Sequence, residues 1–381
     1  MISFQPTDEE QSFAEMALDF AIKHIRPNAR LCEKERTVIS DIAQKAVELG
    51  FSTLELPESW AGLELPLISQ VQIWQALSYG DLAVVQGIPG AGDAASLIRL
   101  DPDAPPLQAY KDLGMGRDSW PPVAFIDVLN RERLYKSDLT LTPSGSGYVL
   151  NGTSPPVIQA RTAESAAIAA VDDQGEAAVL WLNHGGWQVK EGDFRLGLLA
   201  AGLGRLSFNE YHVGAEEVIA RGQAALELMK KVENRIRVLQ AAKEVGLMEA
   251  ALNYVVEYTA GRKAFGQEIA KFQGVSFTVA DMAFETAASR HLVWQAALKV
   301  EEDPSDPLGT SLSALYRAHK AMRFVTDSAV QLLGGHGYVQ EYPAEKWMRD
   351  AQAQTVLYGR EKDLLMRRGE QILETAKEEI R

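Results

Sequence analysis

Apolar residues recur at steps of three and four through the C-terminal part of the chain. Val238, Ala241, Val245, Met248, Leu252 and Val255 form one stripe, and Leu315, Ala318, Met322, Val325, Ala329 and Leu332 form a second. Val275, Val279, Met282 and Thr286 begin a third, while Leu365, Ile372, Ala376 and Ile380 belong to a fourth. A period near 3.6 marks helices with one apolar face. "GRKAFGQE", "EDPSDP" and "GGHGYVQEYP" interrupt the stripes. Residues 216–381 are therefore expected to form an up-down four-helix bundle. Between 121 and 215 the texture changes to "VAFIDV", "YVLNG", "SAAIAAV", "AAVLWL", "GWQVK" and "GRLSFNEYHV". Short apolar runs parted by Gly, Asn-Gly and acidic turns predict a small β domain, a barrel or sandwich.

Residues 1–120 read as a helical domain. "TDEE" from Thr7 to Glu10 matches a capping box, with Phe13, Ala17 and Phe20 on one face of the helix that follows and Pro27 expected to close it. "DIAQKAVELG" predicts a short helix stopped at Gly50. "FSTLELPESWAG" reads as extended and then turning, and a helix over 67–77 would place Val71 and Trp74 on one face. The fold class expected is mainly α with a central β domain.

Composition narrows the functions. The 381 residues are 46% hydrophobic and 24% charged, and 38 basic against 52 acidic residues leave a net charge of −14. That balance argues against non-specific nucleic-acid binding and is neutral about small anionic ligands, which need only local positive charge. The single cysteine, Cys32, permits no intrachain disulfide. "MISFQPTDEEQ" lacks the features of a signal peptide, and no uncharged apolar run reaches about 18 residues. A cytoplasmic protein with no membrane partner is expected. The six histidines, His24, His184, His212, His291, His319 and His336, show no ligand spacing, which argues against metal catalysis. There is no Gly-x-Ser-x-Gly elbow and no phosphate P-loop.

"YTAGRKAFGQEIAKFQGVSFTVADMA" (258–283) and "QLLGGHGYVQEYPAEKWMRDAQ" (331–352) resemble, in order and spacing, the two C-terminal signatures of the acyl-CoA dehydrogenase family. "ELGFSTLELPESWAGL" resembles that family's N-terminal helix-to-loop segment. The resemblance implies an N-terminal helical domain, a β domain and a four-helix bundle, assembled as an oligomer with FAD at a subunit interface. It places Arg262, Phe265 and Gln273 at the ADP half of a neighbouring subunit's flavin, with Gln331, Gly334 and Gly335 approaching the same cofactor. An arginine fork suits a pyrophosphate, and adjacent glycines let backbone N–H groups come close to one. Read without the motif, the glycines are a helix stop and Arg262 is a surface charge.

Other family elements are altered. The flavin loop, usually Thr-Glu-Pro followed by Gly-Ser-Asp, is replaced by "VAFIDVLNRERLYKSDL". The usual Trp-Ile-Thr after an Asn-Gly-Thr-Lys turn is replaced by "PPVIQA" after "NGTS", and two prolines remove two N–H donors. The family removes the substrate α-proton with a glutamate, in most members within a Tyr-Glu-Gly-Thr turn. By resemblance that position is Gly359, in "VLYGREKDLL". The minority position, on the first bundle helix, is Ile236, beside an arginine matching Arg237, which the resemblance directs toward the acyl-CoA. Both base positions lack a carboxylate. The nearest substitutes are Glu233, about one turn before Ile236, and Glu361, whose direction on a helix differs from that of position 359 by roughly 200°. The simpler reading is an ordinary ion pair for Glu233 and a solvated first-turn carboxylate favoured by the helix dipole for Glu361.

The resemblance thus predicts an FAD flavoprotein acting on an acyl-CoA thioester. Two alternatives stand beside it. One is a non-catalytic subunit sharing an interfacial FAD site with a complete homologue. The other is a different flavin reaction on an acyl thioester.

Overall fold

The computed structural model describes residues 8–129, 137–183, 185–190 and 195–380. The expected Thr7 cap, the 130–136 portion of the altered flavin loop and His184 lie outside the described residues. The N-terminal helices are α1 (Asp8–Phe20), α2 (Arg26–Glu35), α3 (Ser40–Glu48), α4 (Leu67–Ser78), α5 (Leu82–Gln86), α6 (Ala95–Leu100) and α7 (Gln108–Met115). Pro27 does not close the first helical segment as expected. It occupies the first turn of α2, where its missing N–H costs least. The chain reaches it through a π-helical turn, Ala21–Ile25, in which the Arg26 N–H bonds back to the Ala21 carbonyl. The stop after α3 is as expected, with the Phe51 N–H returning 2.9 Å to the Ala46 carbonyl.

The β region holds β1 (Val123–Asp127), β2 (Thr140–Ser144), β3 (Gly147–Thr153), β4 (Ser165–Val171), β5 (Ala177–Leu182), β6 (Gln188–Lys190), β7 (Arg205–Val213) and β8 (Val218–Arg221). They form two four-stranded sheets, ordered β1-β4-β5-β8 and β2-β3-β7-β6, and not a closed barrel among the described residues. Only the β1–β4 pair is parallel within these two sheets. Leu141, Leu150, Ile168, Leu180 and Leu206 belong to the core the two sheets share.

Helix α8 (Gly222–Gly261) is the axis of the molecule and packs against α4 and against the later helices α9 (Gln273–Glu302) and α10 (Thr310–Leu333). A two-stranded ribbon of β9 (Lys263–Ala264) and β10 (Gln267–Glu268) joins α8 to α9. Helices α11 (Ala344–Tyr358) and α12 (Glu361–Ile380) follow. The stripe Val238, Ala241, Val245, Met248 and Val255 is fully buried. At Gly246 a Cβ would sit 2.2 Å from the Gln75 carbonyl, so glycine there lets α8 and α4 touch backbone to backbone.

Two expectations for the bundle are corrected. After the GGHGYVQEYP break the chain forms a helix without an expected stripe, α11, before the last stripe begins. In α12, Leu365 and Ile372 point outward, 50% and 51% exposed, while Leu364 is buried. Leucines at 364 and 365 offer two registers, and packing selects the first.

Candidate active site: a cleft beside a second chamber

A cleft opens where the β region meets the bundle. Phe125, Asp127 and Pro156–Ile158 line it from the β side, and Glu233, Ile236 and Arg237 from α8. Tyr358, Gly359, Asp363 and Arg367 close it. Both positions at which the resemblance leads one to expect a base, 236 and 359, therefore face a common space with Arg237. Gly359 ends α11 at φ +114°, a conformation rare for L-residues.

Of the two substitute carboxylates, Glu233 lines the cleft and Glu361 does not. Glu233 is ion-paired with Arg237, and Arg367 lies 3.5 Å from it. Arg237 also donates to Asn234 Oδ1 at 2.7 Å. Glu361, in the first turn of α12, accepts from Arg323 at 2.8 Å. The neighbouring Arg235 faces away from this group and is clamped by Glu55 (2.7 and 3.3 Å) and Glu301 (3.0 Å).

Asp93, which sequence reasoning did not single out, is a further carboxylate lining the cleft. It lies in the turn before α6, where it accepts from the Tyr358 hydroxyl at 2.8 Å and from Gln240 Nε2 at 2.8 Å. Asp93 and Ile158 also line a second chamber, so the two spaces adjoin. Phe51, Leu54, Val85, Ile88, Leu239 and Trp74 give this chamber apolar walls, while Gln86 and Lys243 give it polar ones. Lys243 donates to Gln86 Oε1 at 2.9 Å, and its ammonium lies 4.7 Å from the centre of the Trp74 ring. Burial pushes the Lys243 ammonium down to about 8, with Asp93 opposing. Behind it, Gln86 donates to Gln240 (2.5 Å) and Gln354 (2.9 Å), and Gln354 donates to Glu244 (3.3 Å), which also meets His319 Nδ1 at 2.9 Å. The available signal was Gln240, Lys243 and Glu244 at helical spacing inside an apolar segment.

The residues assigned by resemblance to the ADP half lie elsewhere. Arg262, Phe265, Gln273, Gln331, Gly334 and Gly335 are all exposed, at the end of the bundle where α8, α9 and α10 turn. The Tyr258 hydroxyl holds this end together, bonding the Leu333 carbonyl (3.3 Å) and His336 Nδ1 (2.9 Å). Phe265 is 95% exposed at φ +51°, a strained state for an aromatic residue. This outward set of guanidinium, amides and open glycine backbone has the chemistry to meet a phosphate-bearing group. The β-side segment suits a flavin ring less well, because Pro155 and Pro156 have no N–H and the Val157 N–H is taken by the Gly204 carbonyl at 2.9 Å. Among the described residues no helix is long and apolar enough to cross a membrane.

Residues 7–99 match the acyl-CoA dehydrogenase N-terminal domain, and residues 226–373 the acyl-CoA dehydrogenase C-terminal domain. A relative, the pig mitochondrial short-chain specific acyl-CoA dehydrogenase, is 25% identical over 357 residues, covering 92% of this chain and 86% of its own. An acyl-CoA dehydrogenase of Bacillus subtilis is 26% identical over 361 residues, covering 93% and 95%. The solved butyryl-CoA dehydrogenase of Megasphaera elsdenii superposes with a TM-score of 0.82 at 24% identity, over 98% of this chain and all of that one. With the helical, sheet and helical regions following one another along the chain and both domain signatures present, this chain belongs to the acyl-CoA dehydrogenase family.

Proposed function

We propose that this protein binds an acyl-CoA thioester in the cleft beside Arg237 and shares FAD across a subunit interface, with no general base at the position its family ordinarily uses. The observation that carries this reading is Gly359, a residue without a side chain that faces the cleft beside Tyr358. FAD, when bound, would supply a hydride acceptor. Arg262, Gln273 and Gln331 would hold its phosphates and adenosine, and Arg237 would meet the thioester or its CoA portion. Glu233 serves Arg237 and Arg367 by holding the two guanidiniums in place. Held by both, it is not free to swing toward a substrate proton. The chain therefore binds substrate and cofactor and dehydrogenates ordinary saturated acyl-CoAs slowly, alone or as the partner of a complete homologue.

A second reading is favoured by Asp93: dehydrogenation with a displaced base. Its carboxylate is joined to Tyr358, the residue before the missing glutamate. The absorbance spectrum of the purified protein, alone and co-expressed with a homologue, tests the cofactor assignment, with flavin bands in at least one preparation expected. Dye reduction by an acyl-CoA, compared between the wild type and Asp93→Asn, separates the two readings. Slow turnover unchanged by the substitution supports the first, and brisk turnover lost with it supports the second.

A further inference from the structure

Lys243 is almost fully buried, yet among the described residues no carboxylate lies within ion-pair distance of its ammonium. Its one hydrogen-bond acceptor is the Gln86 amide oxygen, and the Trp74 ring covers it on another side. An ammonium has three N–H donors. The acidic groups that line the chamber have other hydrogen-bond partners: the two Asp93 oxygens accept from Gln240 and Tyr358, and both Glu55 oxygens accept from Arg235. A buried cation without a carboxylate in ion-pair contact is costly, since Asp93 acts on it only from beyond that distance, and the chamber is the space into which a closer anion can come. Asp93 and Ile158 part it from the cleft assigned above to the thioester, lining both spaces.

We infer that the chamber receives the far end of an acyl group that carries its own carboxylate, an ω-carboxyacyl thioester, and that Lys243 is that carboxylate's counter-ion. The inference rests on the acyl-CoA reading of the cleft. A plain alkyl chain entering the chamber would displace water from the ammonium and return no acceptor, and an amine-tipped chain would meet like charge. A carboxylate tip supplies the missing anion, while Phe51, Leu54, Val85 and Leu239 cover the methylenes of the chain.

The test uses FAD-saturated full-length protein and isothermal titration with thioester pairs of equal carbon number: butyryl- and succinyl-CoA, pentanoyl- and glutaryl-CoA, hexanoyl- and adipoyl-CoA. At one or more lengths the carboxylate-tipped member should bind at least tenfold more tightly. That preference should disappear in Lys243→Met and Lys243→Gln, each shown to be folded by its thermal melt. Binding of the carboxylate-tipped thioester at pH 8.5 should also take up a proton, read from titrations in buffers of different ionisation enthalpy, as the new anion restores charge to the amine. Equal affinity within every pair, or a preference that survives in either variant, overturns the inference and leaves the acyl-CoA reading standing. Failure of every thioester to bind overturns both.

Discussion

The hydroxyl of Tyr358, the last residue of α11, donates across 2.8 Å to a carboxylate oxygen of Asp93 in the N-terminal domain. This bond ties the turn that carries Gly359 to the wall between cleft and chamber. Tyr358→Phe removes the donor and leaves the half-buried carboxylate short of one partner, at a cost of about 1 kcal/mol. Asp93→Asn should cost less, because its amide oxygen still accepts from Gln240 and its amide nitrogen can donate to the Tyr358 hydroxyl oxygen. Thermal melts of the two variants should rank Tyr358→Phe below Asp93→Asn.

The exposed ADP-side residues lead to a second prediction. Phe265, Phe277, Phe284 and Tyr338 expose between 63% and 95% of their surface in the single chain. So much outward aromatic surface marks a contact face, and light scattering at micromolar concentration should find a dimer or tetramer. With Pro155, Pro156 and Val157 offering no free N–H on the β side, FAD should bind the isolated protein at least tenfold more weakly than it binds a complete family site, about 1.4 kcal/mol. Stoichiometric FAD retained through purification without added cofactor would contradict this.

Lys346 of α11 carries a larger share of stability. It is buried, 2.6 Å from Asp81 and 2.7 Å from Asp350, and the Leu198 N–H also bonds Asp350 at 2.7 Å. Three regions of the chain meet at this cation. Both carboxylates hold the Lys346 ammonium well above its ordinary range despite burial. Lys346→Met would leave two buried carboxylates facing each other, a loss of about 3–5 kcal/mol. Adding Asp350→Asn to that variant should recover part of the loss in urea melts.

The same helix shows why some of the architecture was hard to read. The α8 and α10 stripes are apolar where they are buried, so periodicity found them. Helix α11 buries Lys346, Asp350, Gln354 and Thr355 alongside Trp347 and Ala351. Its inward face is largely polar, and hydropathy has no stripe to detect there. The chamber escaped notice for the same reason: Gln86, Gln240 and Lys243 look like surface residues until the fold joins α5 to α8. Gly359, Ile236 and Arg237 were legible because a motif marked them, whereas Asp93 reaches the site from a segment that carries none.

Stability should depend on pH through Lys243. Its amine titrates near 8 when folded and near 10.4 in an unfolded chain. The unfolded chain therefore binds the proton more tightly between those values, and stability rises with pH there. Below pH 8 the folded protein carries the full penalty of a buried charge, of order a few kcal/mol. Lys243→Met should accordingly melt higher than the wild type at pH 7. The gap should narrow through pH 8–10.4 and be smallest above it. A constant gap across that range would mean that Lys243 is not buried as a cation.

Restoring a carboxylate at position 359 tests the missing base directly. A Cβ at Gly359 would find room, with its nearest neighbours 3.7 and 3.9 Å away on Leu364. The φ of +114° nevertheless strains any L-residue there, at about 1–3 kcal/mol. Gly359→Glu should therefore lower the melting temperature, and Gly359→Ala should lower it comparably, since the strain belongs to the backbone. Only the glutamate adds a group able to take an α-proton, and a positioned base contributes about 10² to 10⁴ in rate. In FAD-saturated protein, Gly359→Glu should speed dye reduction by a saturated acyl-CoA at least tenfold over the wild type, while Gly359→Ala should give no gain. Brisk turnover by the wild type would instead place a working base elsewhere in the cleft, and its loss in Asp93→Asn but not in Glu233→Gln would locate that base beside Tyr358.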